Sequence, residues 1–102
     1  MKNLYSLLLA FFVIVSSKAD THYINTGNYY YSPSNTTIAL NDTVIWINDG
    51  GYHNVNFINS SITGTSFGNP ISFISAPTGA STIYQHIFTT LGSYTYDCSV
   101  GS

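Results

Sequence analysis

The 102-residue chain carries two lysines, no arginine and four acidic residues, all of them aspartate, against an aromatic content of 16%. That length makes one small domain, and so many Tyr, Ile, Phe and Val residues exclude a disordered chain. So few cationic groups exclude nucleic acid and anionic lipid as partners.

The first segment reads as an address rather than as part of the domain. Met1-Lys2 is a basic start, Leu4 to Val15 is apolar apart from Tyr5 and Ser6, and Ser17-Lys18-Ala19 offers small residues at the two cleavage positions. This is the order of a secretory signal peptide. An apolar stretch that short is a poor span for a hydrocarbon core of roughly 30 Å. Cleavage is expected after Ala19, leaving a signal peptide over 1–19 and a domain over 20–102. No later segment is apolar enough to span, so the mature chain is expected to be exported: secreted, periplasmic, luminal or at the cell surface. Lys2 and Lys18 leave with the leader, and the rest holds Asp20, Asp42, Asp49 and Asp97 with no Lys or Arg. A net charge near −4 permits a cationic protein partner, steered by long-range attraction.

Past residue 20 the chain reads as short strands between turn residues, the spacing of an all-β sandwich. His22 to Asn25 is a strand that turns at Gly27-Asn28, and Tyr29-Tyr30-Tyr31 runs into Pro33, where pairing stops. Thr36 to Leu40 leads into Asn41-Asp42, a pair that tolerates left-handed backbone. Thr43 to Asn48 is the strongest strand, ended by Asp49-Gly50-Gly51. His53 to Phe57 alternates, with His53, Val55 and Phe57 on one face and Asn54 and Asn56 on the other. Residues 58–70 form a Ser/Thr/Gly-rich loop anchored by Phe67, and Ile71 to Ser75 is a short apolar segment. Ser81 to Phe88 is a strand, Leu91-Gly92 turns the chain, and Tyr94, Tyr96 and Cys98 alternate with Ser93, Thr95 and Asp97. No window has helical periodicity.

Cys98 is the only cysteine. Small exported domains draw stability from paired cysteines, so a lone one leaves three readings: an intermolecular disulfide, an inert buried thiol, or a metal-bound thiolate. Residues i and i+2 of a strand share a face. His53 therefore opens one inward column, with Val55 and Phe57, and Cys98 closes another, after Tyr94 and Tyr96. If those strands run antiparallel, both side chains lie at one end of the sandwich.

Tyr31-Ser32-Pro33-Ser34, Asn41 through Asn48, Gly51-Tyr52-His53-Asn54-Val55 and His86 through Cys98, in this order, resemble the plastocyanin-like cupredoxins over essentially all of residues 22–102. The resemblance implies a Greek-key β-sandwich and a type 1 copper site, with His53 as first imidazole and Cys98 as thiolate. It also implies that Asn54 pins the Cys98 loop near Ser99. Thiolate and imidazole suit both copper oxidation states, and an axial ligand tunes the potential. In the family a second His and an axial Met follow the Cys within one short loop. Here position 101 is Gly and the sequence stops at Ser102, so the resemblance implies a C-terminally truncated domain lacking its last strand.

The function implied is one-electron transfer by one copper per complete domain, in a monomer serving a redox protein partner, with no catalysis of its own. Two alternatives are a cupredoxin-like surface or adhesion protein without a working copper site, and the first domain of a multicopper oxidase. A two-copper centre needs a second cysteine four residues after Cys98, where Ser102 stands. Structural zinc favours closely spaced ligand pairs, and none occurs. A Cys98/His53/Asn54 hydrolase lacks the expected pocket features. His86 and Trp46 read as structural residues and His22 as an incidental ligand. The Asn-x-Ser/Thr triplets at Asn35, Asn41 and Asn59 are acceptors only in a eukaryotic exporter.

Overall fold

The structure, a computed structural model, describes residues 9–14 and 19–100. Met1-Lys2, Ser17-Lys18 and Gly101-Ser102 lie outside the described residues. Among the described residues seven strands form two sheets: β1 (Leu9–Ile14), β2 (Thr21–Gly27), β3 (Tyr30–Ser32), β4 (Asn35–Ala39), β5 (Thr43–Asn48), β6 (Thr82–Ile87) and β7 (Gly92–Tyr96). One sheet has the order β4-β1-β7 and the other β3-β2-β5-β6. The chain is all-β, as its alternating pattern predicts, and cupredoxin-like in architecture, as the resemblance implies.

The strand signals act through side-chain shape. Thr43 through Ile47 is a run of β-branched and aromatic residues, which fit a pleated surface, and β5 is an inner strand of its sheet, parallel to β2 and antiparallel to β6. Its inward residues Val44 and Trp46 are fully buried. Asn41 takes φ 73° in the turn between β4 and β5, a conformation Asn tolerates better than most residues. The core joins Ile24, Ile38, Val44, Trp46, Val55, Phe57, Phe88, Tyr94 and Tyr96, contributed by both sheets. Burying each large apolar side chain is worth about 1.5–3 kcal/mol.

Residues 9–14 are extended and form the middle strand of their sheet, parallel to β4 and antiparallel to β7. Other expectations change. Residues 53–57 do not form a continuous ladder; they are held by bridges of His53 to Thr78 and of Asn56 to both Ile74 and Asp97. Their outward positions are also not exposed: Asn54, Asn56 and Asp97 are all buried. The cause is the 58–78 segment, which folds over that face instead of standing off as a loop. Its anchor is Phe73 rather than the half-buried Phe67: Phe73 stacks on Phe57 (4.3 Å) and on His86 (4.0 Å). Asn69 clasps the edge of β7, accepting from Thr95 N and donating to Thr95 O at 2.8 and 2.7 Å.

Candidate metal centre

His53 is held from both sides of its backbone. Its N–H donates to Thr78 O (3.0 Å), and its carbonyl accepts from Thr78 N (2.9 Å). The preceding Gly50 and Gly51 have φ of 139° and 98°, a region that strains other residues. At Gly51 the reason is also steric, because a Cβ there would stand 2.8 Å from His53 Nε2. The diglycine thus lets the chain pass directly over the imidazole.

The ring has no solvent exposure. Nε2 lies 2.7 Å from Gly50 O, and a carbonyl only accepts, so Nε2 carries the proton of the neutral ring. Nδ1 is left with its lone pair, buried and without a hydrogen-bond partner. Such an orphan costs about 1–3 kcal/mol. Neutral imidazole with one nitrogen fixed on a backbone carbonyl and the other free is the form in which His binds metals.

Cys98 is a buried free thiol two residues beyond the end of β7. Asn56 N donates to Asp97 O (2.8 Å) and Asp97 N to Asn56 O (3.1 Å), so the two segments are antiparallel here, as the two-column reading requires. Carried two residues outward on each chain, this pairing sets Asn54 beside Ser99. Asn54 Nδ2 donates to Ser99 Oγ and Ser99 N donates to Asn54 Oδ1, both at 2.8 Å. The expected pin across the two segments is therefore in place. The same register turns the side chains of His53, Val55 and Cys98 toward one face.

The surroundings are dry and braced. Tyr31 donates to Asn54 O at 2.9 Å, and Trp46 Nε1 donates to Tyr96 OH at 3.0 Å. Burial pushes the Tyr96 phenol far above its usual range, against the Trp46 bond, so it stays neutral. Burial likewise raises the Asp97 carboxyl, opposed by its bonds from Ser61 N and Oγ to Oδ2.

The other histidines have partners of their own. His22 Nε2 lies 2.6 Å from Asp42 Oδ2, and His86 stacks on Phe73 and meets Phe88 edge-on. Among the described residues no three of His, Cys, Asp and Glu gather around one point. Sequence reasoning missed Ser75, whose Oγ accepts from Val55 N (2.9 Å) and whose carbonyl accepts from Asn54 Nδ2 (3.2 Å). It also missed Thr78 and the role of the diglycine. The Gly-Gly pair before Tyr52-His53 was the one available signal.

Over 78 residues the chain is 32% identical to plastocyanin of Scenedesmus fuscus, a match that covers 72% of this chain and 76% of that protein. The chain belongs to the plastocyanin family. No family model matches it, and no solved structure matches it. For a plastocyanin-family chain, the donor set tests well on its own atoms: a buried thiol and a buried, unprotonated, unpartnered imidazole nitrogen belong to two segments tied by Asn54 and Ser99. No helix among the described residues is long and apolar enough to cross a membrane.

Proposed function

We propose that the chain is an exported one-electron carrier, not an enzyme, in which His53 Nδ1 and Cys98 Sγ are two of the donors to a single copper ion. The observation that carries this is the orphaned His53 Nδ1, kept buried and aprotic by the Nε2–Gly50 bond. Copper bound there would supply the Cu(II)/Cu(I) couple, which imidazole and thiolate both accommodate. The chain's own residues would exclude water and resist movement: Asn54 ties the two donor segments, and Thr78 and Ser75 fix the first of them. The leader over 1–19 would deliver the domain across a membrane.

The partner would be a redox protein, with a cationic face as the acidic composition suggests. Two of the four aspartates, Asp42 and Asp97, are buried, which leaves Asp20 and Asp49 as the exposed ones. Steering by so few surface charges would be modest.

The test is titration of the chain with Cu(II) in the presence of imidazole, which supplies a nitrogen donor beyond His53. The expected result is an intense visible thiolate-to-copper band, abolished in Cys98→Ser and needing at least tenfold more copper in His53→Ala. A titration without such a band, or one unchanged by His53→Ala, overturns the assignment.

A further inference from the structure

The backbone nitrogen of Asp20 donates to Asp42 Oδ1 at 2.7 Å. Asp42 is buried, and its carboxylate also accepts from Ala39 N (2.9 Å) and lies 2.6 Å from His22 Nε2. Asp20 is held from its other side as well, since its carbonyl accepts from Thr43 N at 2.9 Å. Ala19 and Asp20 themselves are exposed. A buried carboxylate is therefore aimed at the one backbone nitrogen that a cut after Ala19 would turn into a chain terminus.

We propose that processing between Ala19 and Asp20 completes an ion cluster, in which the new α-ammonium of Asp20 pairs with the buried Asp42 carboxylate. Hydrolysis of this amide consumes one water and leaves the Ala19 carboxylate and the Asp20 amine, which takes up a proton. The nitrogen need not move, because it already stands within hydrogen-bond distance. A neutral amide donor becomes a charged one, and charge-assisted hydrogen bonds are roughly twice as strong. Before the cut the only charged or titratable side chain bonded to Asp42 among the described residues is His22 on β2, which carries a full charge only when protonated. After the cut the carboxylate has a cation at neutral pH. Cleavage one residue earlier or later would put the ammonium out of this reach, so Asp42 also selects the terminus that is stable.

The inference rests on the leader reading and not on the copper site, and the test is independent of export. The full chain is made with residues 15–18 replaced by a recognition sequence for a protease that cuts after Ala19, so that strand β1 stays in place on the nicked protein. The pKa of the Asp20 α-amine is then measured by NMR of the labelled terminus. A free α-amine titrates near ~7.7–8.0; pairing is expected to raise it by about one unit or more, a tenfold change in proton affinity. The rise should vanish in Asp42→Asn. A folded state with raised pKa gains stability that is complete below the unfolded value and lost as pH rises through the folded value. The nicked protein should therefore lose more melting temperature between pH 7 and pH 10 than the uncut chain does, and Asp42→Asn should abolish that excess. An α-amine at its ordinary value, or one equal in the wild type and Asp42→Asn, overturns the proposal. If Asp42→Asn fails to fold, a chain with one glycine inserted before Asp20 takes its place: retention of the raised pKa there is equally fatal.

Discussion

Asn54 makes three side-chain bonds, and two of them close a ring with Ser99 on the neighbouring segment. Its neighbour His53 carries the free Nδ1, so the residue that fixes the geometry and the residue that offers the lone pair are consecutive. Removing the amide in Asn54→Ala leaves Ser99 N and Ser75 O without this partner. A buried group left unsatisfied, here Ser75 O, costs about 1–3 kcal/mol, and loss of an outer-sphere support lowers metal affinity by about 10–100-fold. The expected outcome is a lower urea midpoint together with weaker copper binding, measured on the same preparation. A variant that loses stability but binds copper as before would show that Asn54 acts on the fold alone. His53, Cys98 and the Asn54–Ser99 pin were legible in the sequence because alternation and family resemblance both mark them. The burial of Asn54, Asn56 and Asp97 was not, since alternation reports a face and says nothing of what covers it.

At the scale of elements, β5 is legible to the residue because Thr43 to Asn48 is bounded by turn residues and its centre, Val44 to Ile47, is β-branched and aromatic. The 58–78 segment is not, because its contacts are single-residue bridges and side-chain clasps such as Asn69 on Thr95, which leave no period. β1 is illegible for another reason: an apolar run that reads as an export signal is at the same time a strand in the middle of a sheet. It pairs five residues with β4 and five with β7. Strands in a sheet are about 4.8 Å apart, so withdrawal of β1 leaves β4 and β7 too far apart to pair with each other and exposes an edge on each. Unpaired edges are templates for association. A chain beginning at Asp20 is therefore expected to self-associate, and a peptide of residues 9–14 with solubilising ends is expected to disperse it. Sedimentation with and without the peptide decides this; a monodisperse chain that ignores the peptide would contradict it.

The whole molecule responds to acid through groups on opposite sides of its balance. Burial among Phe73, Tyr84 and Phe88 lowers the pKa of His86 below its ordinary value. The folded chain thus binds this proton less readily than the unfolded chain does. The contribution is complete above about pH 6.5, the ordinary His value, and is lost as pH falls from there toward the folded value. Asp42 acts lower. Burial works against its charged form, but the bonds from Asp20 N, Ala39 N and His22 outweigh it and lower the pKa. Its stabilisation holds above the ordinary carboxylate range and is lost as pH falls through the lowered folded value. Urea midpoints of wild type and His86→Phe from pH 8 to pH 3 separate the two. The variant should overtake wild type progressively below pH 6.5, while both lose stability together near the acid end. Parallel curves throughout would mean that His86 takes up its proton freely in the fold.

Trp46 is the only tryptophan, and it has no solvent exposure. Its indole N–H is tied to Tyr96, two residues before Cys98. The protein therefore contains its own optical probe, placed once and tied to the strand that leads to Cys98. Fluorescence from that single indole reports core packing without any label. An acceptor of excitation energy seated at Cys98 would dim it, so loading can be followed by emission at concentrations too dilute to show colour.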